Sequence, residues 1–133
     1  MKLTAKTEYA LLALIYLARQ ANDHFETVDR IAQAQGIPPK FLEQLMLQLK
    51  RAKVVTSQKG QGGGYKLNRS PSRISIAEIV RLFDGALAPT ESVSRYFYES
   101  TPIEKEDKMI MLLKGIRDYI SDRLENTTLD DVK

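Results

Sequence analysis

Cysteine is absent from this chain of 133 residues, and histidine occurs once. Disulfides, thiolate-held metals, cysteine nucleophiles and cysteine-ligated iron–sulfur clusters are therefore excluded within the chain. The single histidine, His24, lies in the polar stretch NDHFE. It has neither a metal-ligand set nor a triad partner in view and reads as a surface-loop residue. Long apolar runs are missing too: no stretch approaches the roughly 18 residues that a membrane-spanning helix needs. The opening, MKLTAKTEYALLALIYLAR, is interrupted by Glu8 and lacks a small-residue cleavage site. It resembles neither a signal peptide nor a span, so a soluble, cytoplasmic protein without a membrane partner is expected. The glycine-rich stretch GQGGGYK lacks the Gly-Lys-Ser/Thr ending and the following helix of a phosphate-binding P-loop. With no nucleophile–base pair and no metal cluster to point to, an enzyme is not expected, nor is a cofactor or metal.

What is present suits a globular domain: 43% hydrophobic and 28% charged residues over 15.1 kDa. The net charge of +3 conceals an asymmetry. Residues 1–87 hold 13 Lys/Arg against 7 Asp/Glu, whereas residues 88–133 hold 7 against 10. A basic front half is a modest electrostatic footprint for nucleic acid, and the acidic remainder is not.

The most informative stretch is 36–67, GIPPKFLEQLMLQLKRAKVVTSQKGQGGGYKL. Leu42, Leu45, Met46 and Leu49 recur at helical spacing and form one apolar stripe facing a core. Lys40, Glu43, Gln44, Leu47 and Arg51 point the other way, free to meet a partner. Pro38-Pro39 suits a helix start and Gly36 a preceding helix end, which together give a helix-turn-helix spacing. After Lys53 the pattern changes to β-branched and alternating residues around GQGGG, which predicts a two-stranded hairpin flanked by Lys59 and Lys66. Such a tip suits a phosphate-lined groove.

Around this unit, Thr4 should cap a helix running to about Ala21, with Leu11, Leu14, Ile15, Leu17 and Ala18 on its apolar face. Lys2 and Lys6 at its start are candidate phosphate contacts, and Tyr9 covers the core or presents its hydroxyl to the DNA backbone. A polar loop at 22–26 leads to a short helix capped by Thr27, with Val28, Ile31 and Ala32 inward. Ser75 and Glu78 form an S-x-x-E capping box for a helix ended by Gly85, packed back on the first. Residues 86–103 read as a connector whose aromatic run Tyr96, Phe97 and Tyr98 is expected to pack under the last helix, the alternative being that it lines an effector pocket. That helix spans 104–125, and its side bearing Met109, Leu112, Leu113, Ile116, Tyr119 and Ile120 is wider than a small winged unit needs, so a second copy is expected there, the alternative being a helix folded back on its own domain. Gly115 in its middle costs about 1 kcal/mol of helix propensity relative to alanine, which fits close approach by a partner helix. NTTLDDVK reads as a polar, fraying end.

These segments resemble the Rrf-two family of bacterial winged-helix regulators: MKLTAKTEYALLAL its opening helix, FLEQLMLQLKRAKVV its reading helix, SQKGQGGGYKL its wing, with AEIVRLFDG and NTTLDDV fitting as well. The resemblance implies a mainly α fold with a small β-hairpin wing. Residues 1–85 would be the winged helix-turn-helix domain, 86–103 the connector and 104–133 the dimerisation helix and tail. It also implies a homodimeric transcriptional regulator, a repressor by expectation, on a partly palindromic operator of double-stranded DNA. Carried over by position, Lys40, Glu43 and Gln44 contact DNA from the reading helix, and Lys59, Gln61, Gly62 and Tyr65 from the wing. Glu43 is suited to accept from cytosine N4 and Gln44 to pair with adenine or a phosphate. The helical wheel adds Arg51 as a phosphate clamp and Leu47 against a thymine methyl. Lys59 stands where arginine is expected, and Pro38-Pro39 replaces polar residues at the start of the reading helix. Cluster-binding relatives carry three cysteines in the connector, and this chain has none, so no cluster is expected. A small-molecule effector, a partner enzyme or no signal at all remain open, as does a module that uses the winged unit to bind a partner protein.

Overall fold

The computed structural model describes residues 1–20 and 24–133. Asn22 and Asp23 of the polar loop expected at 22–26, and the end of the first helix expected at Ala21, lie outside the described residues. Helix α1 runs Ala5–Arg19, its N-cap Thr4 accepting from the Thr7 amide. Its fully buried stripe is Ala10, Ala13, Leu14, Leu17 and Ala18, which is i, i+3, i+4, i+7, i+8. Leu11 and Ile15, expected on that face, flank it half-buried. Two alanines at the centre let neighbouring helices come close.

Helix α2 (Val28–Gln35) is capped by Thr27, whose hydroxyl accepts from the Arg30 amide at 3.1 Å, and ends at Gly36 in left-handed conformation, φ 67°. Helix α3 (Pro39–Arg51) follows at once and buries Leu42, Leu45, Met46 and Leu49, the stripe read from sequence. Strands β1 (Val55–Gln58) and β2 (Gly64–Leu67) form the antiparallel hairpin, Val55 opposite Leu67 and Gln58 opposite Gly64. Glu26, expected in the polar loop, instead pairs with the hairpin: its N–H donates to the Tyr65 carbonyl and Tyr65 N–H to the Glu26 carbonyl, both at 2.8 Å. That bridge fixes the wing to the start of α2.

Helix α4 (Ile76–Asp84) packs on α1. Its capping box is half-formed. The Ser75 hydroxyl accepts from the Glu78 amide at 3.1 Å, but the Glu78 carboxylate is held by the Arg69 guanidinium instead of turning back. The connector contains 3₁₀ turns at Glu91–Val93 and Pro102–Lys105, so the last long helix, α5, begins at Asp107 and runs to Glu125. Two further expectations fail here. The connector aromatics do not pack under α5: Tyr96, Phe97 and Tyr98 are 70%, 44% and 56% exposed.

The polar end does not fray either. Residues Leu129–Val132 form a short helix, α6, with Thr128 and Asp131 closing a capping box. The Ile76 amide donates to the Thr127 carbonyl (2.8 Å) and the Leu129 amide to that of Ile74 (3.0 Å). Leu129 is completely buried in the main core with Leu14, Ile31, Leu42 and Ile74. Burial of one such side chain is worth about 1.5–3 kcal/mol, enough to hold an eight-residue polar segment that has no apolar periodicity of its own. A second, smaller core joins Ala77, Val80 and Leu87 to Ile120 and Leu124 of α5. The long helix is thus seated on α4 by one face and tied back into the winged unit at its end.

Candidate nucleic-acid interface

Because α3 commits its apolar stripe to the core, its remaining residues are forced outward. Lys40, Glu43, Gln44, Leu47 and Arg51 are all exposed on that helix, and none makes a side-chain hydrogen bond or ion pair among the described residues. Pro38, at the N-cap, makes no side-chain cap hydrogen bond. At the wing, Lys59, Gln61 and Gly62 are exposed on the turn between β1 and β2. The turn depends on glycine at two places in particular. A Cβ on Gly63 would lie 2.2 Å from the Gln58 carbonyl oxygen, and one on Gly64 would lie 2.3 Å from that of Glu26. The tip is therefore tight, and its backbone is bare enough for close approach to another surface.

Tyr65 sits differently from the tip residues. Its ring is half-buried against the main core, as strand alternation requires for a residue on the side of Leu67. Burial, and then the negative charge of nearby Glu43, push its hydroxyl above the ordinary tyrosine range. Tyr65 thus links wing and reading helix. Lys66, on the opposite face, lies over the Phe25 ring at 4.9 Å.

Lys2 and Lys6 are exposed at the start of α1. One turn beyond Lys6, Tyr9 meets Phe41 of α3 edge to face, with centroids 5.5 Å apart, so the first turns of α1 lie beside the first turns of α3. The start of α1 is also held to the end of α4, because Thr4 Oγ1 donates to Asp84 Oδ1 at 2.6 Å and its N–H to Oδ2 at 3.3 Å. That clamp, the buried Glu26 and the bond from Asn68 to the Lys53 carbonyl were not found from the sequence. All three join residues far apart in the chain or depend on backbone geometry that periodicity does not report.

On α5, Met109, Leu112, Ile116 and Tyr119 stand 41%, 56%, 40% and 70% exposed, spaced 3, 4 and 3 residues apart as in a coiled-coil seam. Leu113 and Ile120 are half-buried, and Ile120 packs on the second core of its own chain. Gly115, beside the seam, would meet nothing within 4 Å if it carried a Cβ. His24 is exposed, as expected.

A recessed helix, a helix that presents its polar face and a glycine-tipped hairpin form a winged helix-turn-helix. The family model for Rrf2, described as an iron-dependent transcriptional regulator, matches residues 3–133. The chain belongs to the Rrf2 family. It is 32% identical over 132 residues to the HTH-type transcriptional regulator CymR of Bacillus subtilis, covering 99% of this chain and 89% of that one. A putative HTH-type transcriptional regulator of Mycobacterium tuberculosis is 35% identical over 136 residues, at 99% and 81% coverage. Among solved structures, CymR, the global cysteine regulator of B. subtilis, superposes with a TM-score of 0.85 at 30% identity, covering 99% of this chain and 95% of that one. IscR of T. potens superposes at 0.75 with 26% identity, covering 99% and 85%. This Rrf2 member is thus a winged-helix transcriptional regulator, in a family of DNA-binding regulators and not of enzymes. Its donor set does not fit the iron in the family description. The chain has no cysteine and one histidine, and no three His, Cys, Asp or Glu side chains converge among the described residues. No described helix is long and apolar enough to cross a membrane.

Proposed function

We propose that the chain acts as a homodimer, binding a partly palindromic operator and repressing the adjacent genes in the cytoplasm without an iron–sulfur cluster. The observation that carries this reading is the exposed face of α3 beside a glycine-tipped wing, with a separate unpartnered apolar seam on α5. Helix α3 enters the major groove, where Glu43 accepts from cytosine and Gln44 pairs with adenine or a phosphate. Leu47 lies against a thymine methyl, and Lys40 and Arg51 neutralise phosphates. Lys59, Gln61 and Gly62 bring the wing to the adjacent minor groove or its phosphates, while Lys2 and Lys6 extend the backbone contacts. Tyr65 supports this surface from inside the wing. Two chains meet along Met109, Leu112, Ile116 and Tyr119, with Leu113 and Ile120 at the margin, and this sets the spacing of two operator half-sites. With cysteine-ligated cluster chemistry closed to this chain, the regulator responds to a small molecule or a partner enzyme, or acts without a signal.

The test is to incubate the purified protein with fragmented DNA from its own source and to sequence what is retained. Enrichment of one inverted repeat, lost on Glu43→Ala with Lys59→Ala, is expected. Retention of a partner polypeptide in place of DNA, unaffected by Arg51→Glu and Lys59→Glu, would overturn the reading in favour of a protein-interaction module.

A further inference from the structure

Helices α2 and α3 end in the same closing motif but with different residues at its left-handed position. In α2, the Ile37 amide reaches back to the Ala32 carbonyl at 2.9 Å across Gly36, φ 67°, and Ile37 is buried. In α3, the Val54 amide reaches the Leu49 carbonyl at 3.0 Å, the Lys53 amide reaches that of Lys50 at 3.0 Å, and Val54 is fully buried. This is the six-residue helix stop that normally carries glycine. Here Lys53 occupies it at φ 62°, the one non-glycine residue with positive φ among those described. A Cβ in that region crowds the following carbonyl, and a β-carbon-bearing residue stays there only where its surroundings hold it.

It is held by the buried Val54 and by Asn68. The Asn68 side-chain amide donates to the Lys53 carbonyl at 3.1 Å, while its backbone N–H donates to that of Val54 at 2.9 Å. Residue 53 is where the chain leaves α3, and residue 68 is where it leaves the wing, so the two bonds close the wing's base onto the end of the reading helix. The backbone angle at Lys53 sets the direction of β1 relative to α3. We propose that Asn68 is a positioning residue for DNA binding: by latching Lys53 in the left-handed conformation, it fixes the angle between reading helix and wing so that both reach the duplex together. The proposal rests on the roles given above to α3 and the wing. Glycine at position 53 would adopt the same angle without help, so the latch is needed only because a lysine stands there.

The test compares wild type, Asn68→Ala, Lys59→Ala, the double variant and Asn68→Ala with Lys53→Gly on an inverted repeat retained by the wild-type chain. Loss of one hydrogen bond corresponds to a weakening of roughly five- to tenfold for Asn68→Ala. The double variant should be no weaker than the weaker single, because a misplaced wing no longer delivers Lys59. Adding Lys53→Gly to Asn68→Ala should restore most of the affinity. Asn68 is exposed, so the variants fold. In the free protein, the strong intraresidue amide–Hα NOE of a left-handed residue should be seen at Lys53 in wild type and lost in Asn68→Ala. Binding within twofold of wild type, losses that multiply with Lys59→Ala, or an NOE that persists would each overturn the proposal. Should the wild-type chain retain no specific duplex, the DNA reading fails on its own, and the NOE, measured without DNA, still decides whether the latch exists.

Discussion

Replacing Leu129 by alanine tests whether the C-terminal tail is a structural part of the winged unit. The side chain is completely buried beneath α1 and the 3₁₀ turn Pro71–Arg73. Leu→Ala removes three carbons, worth about 2.4 kcal/mol in transfer free energy at ~0.8 kcal/mol per methylene. The cavity left behind raises the usual total to roughly 2–5 kcal/mol. Because Leu129 sits on a helix of only four residues, Leu129–Val132, α6 can settle partly into the gap, which favours the lower half of that range, about 3 kcal/mol. For a chain of this length, 1 kcal/mol moves Tm by roughly 3–5 °C, so a fall of about 10 °C is expected. Urea unfolding followed by circular dichroism at fixed protein concentration should show the midpoint lowered with the slope unchanged. Val132→Ala, at a 40% exposed position of the same helix, should stay within about 0.5 kcal/mol. If Leu129→Ala were equally silent, α6 would be dispensable and the buried anchor would be refuted.

Leu112→Glu and Ile116→Glu, at positions open to solvent in the single chain, should leave the monomer folded but abolish self-association in sedimentation equilibrium; persistence of the dimer would move the seam elsewhere. Glu26 is 6% exposed, and among the described residues its Oε2 has no hydrogen bond and pairs only with the Arg30 guanidinium, at 3.6 Å. Glu26→Leu should therefore be neutral or raise Tm, since a buried carboxylate is costly and its exposed partner returns to water; a Tm lowered by several degrees would contradict this. The bond from Arg81 lowers the Glu125 pKa from its ordinary 4.5, and those from Arg117 and then Arg95 lower the Asp118 pKa from 3.8. Depressed carboxylate pKa values give stability that is present above the ordinary values and lost as pH falls through the folded ones. Arg81→Gln should thus flatten the loss of Tm below about pH 4.5, and an acid limb identical to wild type would count against it.

The reading helix was legible because its stripe at 42, 45, 46 and 49 obeys one period, and its exposed face is the complement. The hairpin was legible from glycine and alternation, and alternation could also have turned Tyr65 inward, since it shares a face with Leu67. Lys53 carried no such signal. A lysine in left-handed conformation is set by the buried Val54 and by Asn68, fifteen residues away. The tail was misread because its anchor is a single leucine among polar residues, held by two backbone bonds to a segment more than fifty residues earlier. The aromatic triplet was misread on the general tendency of rings to be buried, whereas the second core was already filled by Leu87, Ile120 and Leu124.

The most direct test of the central claim is an anisotropy titration of the retained inverted repeat and a scrambled duplex at several salt concentrations. The expected result is two chains per repeat, clear preference over the scrambled duplex, and log affinity falling linearly with log salt. Lys59→Ala should lower that slope by about one, while Glu43→Ala should relax preference at one base pair per half-site. Equal affinity for both duplexes, or binding indifferent to salt, would contradict it.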